Sequence, residues 1–200
     1  MKNIRRCCAR KLIVQQYVTI DNIAAENDGG MSFVGEYGVS WLEARDLSFK
    51  AEALRFMDEV DTMLLGATTY KLFAAGWPEN SEQDEFANRL NSMQKYVASR
   101  TLTEAPWGAW PAATITADPA ATVRELKQAD GKDIVLWGSL MLMRDLVGEN
   151  LIDEYYLRIC PATCGEGVRL FDAWQDLTLL EAKSHDKGII TARYVPVPRP

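Results

Sequence analysis

A chain of 200 residues, 48% of them hydrophobic and 25% charged, has the composition of a globular protein and the length of one large domain. The formal net charge of −6 disfavours a nucleic-acid-binding protein, because such proteins present a basic face to phosphates. No apolar run is long enough to span a bilayer, and Arg10 and Lys11 interrupt any signal-peptide-like segment. We therefore expect a cytoplasmic protein without a membrane or nucleic-acid partner.

The first ten residues are predicted to form a flexible N-terminal extension, and residues 11–200 a single domain. The basic cluster of the chain lies at this end: Arg5, Arg6, Arg10 and Lys11. The four cysteines are Cys7, Cys8, Cys160 and Cys164, and the single histidine is His185. This set lacks the ligand spacing of a zinc site, so we predict no metal and four reduced thiols.

Apolar runs alternate with amphipathic stretches over the first 150 residues, a pattern typical of βαβ units and a largely parallel sheet. The predicted strands are 11–19, 61–65, 95–99, 113–116 and 133–137. Between the first two strands, a long glycine-bearing polar loop is predicted over 21–40. The predicted helices begin at Ser40, at Thr68, near Phe86, at Pro119 after an Asp118 N-cap, and at Ser139.

The first long helix carries a capping-box signature, Ser40 with Glu43. Its helical spacing predicts that an apolar stripe faces the core: Leu47, Ala51, Leu54 and Met57.

After Asn150 the pattern changes to long strands separated by turn residues. A strand is predicted over 151–159, and a hairpin over 177–183 and 189–195 around Gly188, which suits a positive φ. The sheet should therefore finish with an antiparallel edge. His185 lies in the hairpin turn and is interpreted as a solvated turn residue.

Glycine, hydroxyl and basic side chains follow three of the predicted strands. The three sets are Gly66, Thr68 and Thr69; Ser99, Arg100 and Thr101; and Gly138, Ser139 and Leu140. Ligands of open α/β sheets bind outside the carboxyl ends of the strands, where helix starts offer free N–H groups to a phosphate. For each set taken alone, the alternative interpretation is an ordinary turn that binds no ligand. The absence of G-x-G-x-x-G and P-loop motifs disfavours a standard dinucleotide fold or a nucleoside triphosphatase.

Five motifs, in this order, resemble the dihydrofolate reductase family, and more closely the branch with the reductase domain of riboflavin-biosynthesis deaminase–reductases. They are Lys11–Val14 running to Asp21, Leu64–Tyr70, Lys95–Leu102, Asp133–Ser139, and Leu151–Tyr155 continuing through Pro161 to Phe171. The resemblance covers about 11–194. It implies a three-layer α-β-α fold with a mostly parallel sheet, and an NADPH-dependent oxidoreductase acting on a small pterin-like or pyrimidine-like substrate. It also implies a homodimer that contacts through the late strands.

The resemblance also implies where the cofactor lies. The turn from Gly66 through Thr68 and Thr69 would bind the pyrophosphate and adenosine side of NADPH, and Ser99 and Arg100 the 2′-phosphate, with Thr101 beside them. Gly138, Ser139 and Leu140 would approach the pyrophosphate and nicotinamide half. Asp21 and its loop would form a lid over the nicotinamide.

Three positions depart from the family pattern. Ala67 replaces a common arginine, so preference for NADPH rests mainly on Arg100. Asn22 replaces the usual glycine, although asparagine also adopts the left-handed conformation. Trp137 replaces the glutamate of true riboflavin-pathway reductases, and it could stack on a flat ring or simply pack.

Hydride transfer to a C=N bond needs a proton source, and the family places a carboxylic acid near the start of the first helix. Glu43 is the leading catalytic candidate, with closure of the capping box as the alternative. The other candidates are Asp46, Glu52 and Asp21, the last favoured as a loop-fixing residue. The predicted substrate pocket contains Phe33, Trp41 and Trp137, whereas Phe49 is interpreted as core. A nucleotide-binding protein without turnover and a ligand-free structural dimer module remain open alternatives.

Overall fold

A computed structural model describes residues 9–37, 47–80 and 84–197 of the chain. The strands are β1 Leu12–Thr19, β2 Ile23–Ala25, β3 Val60–Gly66, β4 Gln94–Ala98, β5 Thr114–Thr116, β6 Asp133–Trp137, β7 Glu154–Cys160, β8 Val168–Arg169, β9 Leu177–Ser184 and β10 Ile190–Pro196. The helices are α1 Ser32–Tyr37, α2 Leu47–Glu59, α3 Ala67–Gly76, α4 Glu85–Ser92, α5 Pro119–Gln128 and α6 Leu140–Gly148.

Eight strands form one sheet in the order β5-β4-β3-β6-β1-β7-β10-β9. The pairs from β5 to β7 are parallel, and β10 runs antiparallel to both β7 and β9. The predicted mostly parallel sheet with an antiparallel C-terminal hairpin is therefore confirmed. Gly188 adopts φ 82° in the hairpin turn, as its sequence context predicts.

Two apolar cores cover the two faces of the sheet. Successive strand residues point to opposite faces, so Ile13 joins the core under α2, α3 and α4, whereas Leu12 and Val14 join the core under α5 and α6. The central strands are buried on both faces, which explains their near-continuous apolar runs. Helices on both faces give the predicted three-layer architecture.

The face that α2 buries agrees with the prediction at Met57, and at Leu54, which is partly buried against the core, but not at Ala51. Ala51 is exposed, whereas Phe49, Ala53, Phe56 and Met57 are buried. Both stripes have helical spacing, but the stripe with two phenylalanines removes more apolar surface from water. The capping box of Ser40 and Glu43 lies outside the described residues.

Two further predictions are corrected by long-range contacts. The segment predicted as an irregular loop over 21–40 contains β2 and α1, because β2 finds an antiparallel partner in β8, far along the chain. His185 is not solvated: it is 8% exposed, and its Nε2 lies 3.0 Å from Thr191 Oγ1.

Arg10, predicted to be part of the extension, is 5% exposed. Its guanidinium pairs with Asp61 and donates to Thr62 Oγ1 at 2.6 Å, so this residue packs with the domain. Within the described ranges, no helix combines the length and the hydropathy needed to cross a bilayer.

Candidate active site

Three neighbouring strands, β4, β3 and β6, end at one edge of the sheet. Gly66 at the end of β3 pairs in register with Ala98 at the end of β4, and Leu64 pairs with Leu136 of β6. The three predicted strand-end sites therefore follow adjacent parallel strands. We call the edge formed by residues 66–69, 99–101 and 138–140 the rim.

A hydrogen-bonded link joins two of these sites. Ser139 Oγ accepts from the Gly66 N–H at 2.6 Å and lies 2.9 Å from Thr69 Oγ1. The hydroxyl predicted to cap α6 thus bonds to the neighbouring turn instead of its own helix. The link fixes the start of α3 against the start of α6.

Glycine is required where these two turns approach each other. A Cβ on Gly66 would lie 2.6 Å from Ser139 Oγ, and a Cβ on Gly138 would lie 2.9 Å from Thr69 Oγ1. Gly138 also adopts φ 58°, a left-handed conformation that side chains disfavour. Both glycines therefore allow the two turns to pack closely together, in addition to allowing the chain to change direction.

The two helices that begin at the rim differ from α4 and α5 at their N-termini. Asp84 and Asp118 cap α4 and α5 with their carboxylates, as predicted for Asp118. No described side chain caps α3 or α6. Their first-turn N–H groups are therefore left without a capping side chain, and the contacts of Ser139 with Gly66 and Thr69 bring the two helix starts together, an arrangement that suits a bound phosphate.

The third site is organised by Ser99. Its Oγ accepts from the N–H groups of Thr101 and Leu102, at 3.2 and 3.0 Å, which closes a turn after β4. The side chains of Arg100 and Thr101 are exposed. A guanidinium in that position is accessible to a charged ligand at the rim.

Asp21 fixes the loop after β1. Its carboxylate accepts from Thr19 Oγ1 at 2.6 Å, from the Gly165 N–H at 2.7 Å and from the Cys164 N–H at 3.2 Å. These hydrogen bonds, above all that from Thr19, lower the pKa of Asp21 below its usual value. An ionised, fully bonded carboxylate is a poor proton donor, so the geometry favours the loop-fixing role over the catalytic one. Asn22 beside it has φ 69°, the left-handed conformation predicted for it.

The substitution Asp21→Asn should loosen the contact between this loop and residues 164–165. We expect faster amide hydrogen exchange at Cys164 and Gly165, because an amide accepts more weakly than a carboxylate. Since the folded pKa lies below the ordinary value of 3.8, the stabilisation is complete above that pH and is lost as the pH falls through the folded pKa.

Asp28→Asn is the control for this prediction, because Asp28 accepts only a local hydrogen bond from the Gly30 N–H at 2.8 Å among those described. It should leave exchange at residues 164–165 unchanged. Unaltered exchange in Asp21→Asn would contradict the assigned role.

The structure describes only some of the residues predicted as the catalytic acid. Glu43 and Asp46 lie outside the described residues. Glu52 is buried, and although burial raises its pKa, hydrogen bonds from Arg55 and Lys183 lower it below the usual value. Glu52 is therefore an ion-paired carboxylate and a weak candidate for the proton donor.

The structure describes Phe33 and Trp137 of the predicted substrate pocket. Phe33 is buried in α1, and Trp41 lies outside the described residues. Trp137 is 4% exposed, packs against Phe73 and Phe86, and donates its indole N–H to Gln15 Oε1. This environment agrees with the interpretation of Trp137 as a packing residue and not as a side chain that stacks on a flat ring.

Two polar residues that the sequence analysis missed, Gln15 and Arg158, lie buried on the central strands β1 and β7. Arg158 stands between Leu157 and Ile159, and Gln15 follows the aliphatic run Leu12–Val14 and precedes Gln16, so both strands read as ordinary buried strands. A polar residue within a predicted buried strand was the sequence signal that could have identified each of them.

The strand order, the antiparallel end of the sheet and the glycine-lined rim define an α/β protein with the dihydrofolate reductase-like fold. The model of the RibD C-terminal domain matches residues 10–191, and the chain belongs to that family. This confirms the resemblance to riboflavin-biosynthesis reductase domains and supports a reductase-like function.

Two known proteins are similar to this chain over nearly its whole length. YyaP of Bacillus subtilis (strain 168), described as uncharacterized, is 29% identical over 192 residues, 92% of this chain and 94% of its own. A Shewanella sp. PV-4 protein, whose name links it to riboflavin biosynthesis, has a TM-score of 0.66 and 19% identity, over 94% of this chain and 99% of that chain.

A second solved structure is the Thermotoga maritima diaminohydroxyphosphoribosylaminopyrimidine deaminase/5-amino-6-(5-phosphoribosylamino)uracil reductase. Its TM-score is 0.61 at 12% identity, over 94% of this chain and 57% of that chain. At these identities the likeness to both structures is one of fold.

Proposed function

We propose that the protein is an NADPH-dependent reductase that transfers a hydride to a small pterin-like or pyrimidine-like ring. The observation that carries the proposal is the rim, where the uncapped starts of α3 and α6 are joined through Ser139, Gly66 and Thr69. Membership of the RibD C-terminal domain family supports the reductase class.

The residues of the rim fit the phosphates of a dinucleotide. The first-turn N–H groups of α3, with Thr68 and Thr69, would bind one side of the pyrophosphate, and those of α6, from Ser139 and Leu140, the other. Gly66 and Gly138 let the two turns approach each other closely, so that both sets of N–H groups would face the same ligand. Arg100, exposed after β4 with Ser99 and Thr101, would meet the 2′-phosphate.

NADPH supplies the hydride when bound, and the chain would supply orientation and the proton. The loop that Asp21 fixes at the end of β1 would cover the nicotinamide and exclude water. Glu43, near the start of the first long helix, is the proposed proton source. Binding of NADPH without turnover on pterin and pyrimidine substrates would instead favour a nucleotide-binding protein of the same fold.

Charge reversal at Arg100 tests the cofactor assignment. We expect Arg100→Glu to weaken NADPH binding by about 10- to 100-fold, because a charge-assisted hydrogen bond contributes roughly 1.5–3 kcal/mol. NADH binding should change by less than about threefold, because NADH lacks the 2′-phosphate. Dissociation constants for both nucleotides, measured by calorimetry or by nicotinamide fluorescence, check this.

Lys132→Glu is the matched control, because it makes the same charge change immediately before β6, at the opposite edge of the sheet. It should leave both affinities within about twofold of the unaltered protein, since the 5 residues of β6 separate it from the rim, and at roughly 3.3 Å per strand residue that separation exceeds the screening length of about 8 Å at physiological salt. Equal weakening of NADPH and NADH by Arg100→Glu would remove Arg100 from the 2′-phosphate site. Failure of the unaltered chain to bind either nucleotide would refute the proposed function.

A further inference from the structure

Three unpartnered hydrogen-bond donors lie together between the sheet and α2. Nε and Nη2 of Arg158 and Nε2 of Gln15 are buried and, within the described part of the chain, have no acceptor in good hydrogen-bond geometry, although the Tyr156 hydroxyl lies close enough to Arg158 to interact with it. Arg158 is 2% exposed and Gln15 is 4% exposed. They stand on adjacent parallel strands, where Tyr17 pairs with Arg158 and Gln15 pairs with Tyr156, so they share one face of the sheet.

Aromatic rings surround the guanidinium of Arg158. Its central carbon lies 5.2 Å from the ring centroids of Tyr17 and Phe49 and 5.7 Å from that of Tyr156. Nη1 donates to Tyr17 Oη at 2.9 Å. The rings supply cation–π attraction, but they offer no counter-charge.

Among the described residues, no carboxylate forms an ion pair with Arg158. Glu52, which accepts from Tyr156 Oη at 3.1 Å, is already paired with Arg55 and Lys183. A buried cation without a counter-ion is strongly unfavourable, and buried donors without acceptors add to that cost. An acceptor-rich, negatively charged ligand would relieve both.

The unpartnered atoms also define the shape of the ligand. Nε and Nη2 form the side edge of the guanidinium, which binds a planar oxyanion through two parallel N–H···O bonds. The orientation of the Gln15 amide follows from its Oε1, which accepts from the Trp137 indole, so its NH₂ group is the free donor. All three free atoms are donors.

We propose that Arg158 binds a carboxylate carried directly on the flat ring of the substrate, with Gln15 donating to a ring carbonyl oxygen. This inference rests on the proposed function, because it assigns the substrate half of the same enzyme. A phosphate is also an oxyanion with suitable oxygens. The aromatic surroundings of the guanidinium favour a flat ring acid over a tetrahedral group.

Orotate and uracil test the proposal, because they differ only in a ring carboxylate. We expect the full chain to bind orotate at least about tenfold more tightly than uracil by calorimetry, a difference of about 1.4 kcal/mol. Arg158→Met should reduce this preference to less than about twofold. Arg158→Lys keeps the charge without the planar fork and should give an intermediate preference.

Arg124→Met is the control, because it removes an arginine whose ion pair with Glu149 is about half exposed on both sides. It should leave the preference for orotate unchanged. NADPH affinity, measured separately, should be the same in Arg158→Met as in the unaltered chain. If the unaltered chain binds no nicotinamide nucleotide, the proposed function is wrong. The comparison of orotate with uracil tests the Arg158 site independently of that result.

Equal affinity of the unaltered chain for orotate and uracil would overturn the proposal. A preference that persists in both Arg158→Met and Arg158→Lys would do the same. Inorganic phosphate that binds more tightly than orotate, and depends on Arg158, would overturn the ring carboxylate in favour of a phosphate.

Discussion

Replacing Gly138 with valine is expected to weaken NADPH binding by about 100-fold, roughly 2.7 kcal/mol. Gly138 has φ 58°, which a β-branched residue adopts only at a cost of about 1–3 kcal/mol. The new Cβ would also lie 2.9 Å from Thr69 Oγ1 and 3.1 Å from its Cγ2. The turns before α3 and α6 would have to separate, so their first-turn N–H groups could no longer converge on one phosphate group.

Gly148→Ala, at the end of the same helix, is the control. A Cβ there meets no atom within 4 Å, so NADPH affinity should not change, and stability should rise by about 0.5–1 kcal/mol because alanine favours a helix. Affinity is measured by calorimetry and stability by urea denaturation. A Gly138→Val protein that binds NADPH as tightly as the unaltered chain would show that the rim does not bind the phosphates.

Replacing Arg193 with methionine should lower the free energy of unfolding by about 3 kcal/mol, because it breaks a buried ion-pair network. Arg193 pairs with Glu154 and, at 2.7 Å, with Glu59, which ties β10 to β7 and α2. Glu154 is 1% exposed, and of the cations in the described ranges it would keep Lys11 alone, at 3.2 Å. A buried carboxylate that loses its main cation is far less stable than an exposed one.

Arg124→Met provides the comparison, because its partner Glu149 is 53% exposed and exposed pairs contribute roughly 0–1 kcal/mol. Urea denaturation of both variants at neutral pH measures the difference. If Arg193→Met and Arg124→Met destabilise the protein equally, the buried network does not stabilise the fold as described.

Much of the fold was predictable because local sequence and tertiary environment agree. The buried parallel strands contain short aliphatic runs such as Leu12–Val14 and Ile134–Leu136, and Asp118 before Pro119 starts α5 as predicted. The inward face of α2 was predictable only in part, at Leu54 and Met57, because a second stripe with Phe49, Ala53 and Phe56 had the same helical spacing. The pairing of β2 with β8 joins distant segments, which no local pattern encodes.

The candidate site was predictable in outline for a different reason. Parallel strands end at the same edge of a sheet, so three weak local signals that each follow a predicted strand could be combined. The hydrogen bond from the Gly66 N–H to Ser139 was not predictable, because a serine at a helix start normally caps its own helix. Arg158 was not predicted, because the feature that distinguishes it is a buried guanidinium without a carboxylate partner among the described residues. Only a three-dimensional structure can show this.

The position of β1 in the centre of the sheet has a consequence for synthesis on the ribosome. Its two neighbours are β6 and β7, whose paired residues lie more than a hundred positions later in the chain. At roughly 5–20 residues per second, translation takes about 10–30 s to deliver both. During that interval Leu12–Thr19, which begins with three aliphatic residues, has no partner strand on either side, and such a segment is prone to aggregate or to recruit chaperones. Folding should therefore be late and concerted, and it should depend more on the completion of β7 than on any nearby helix.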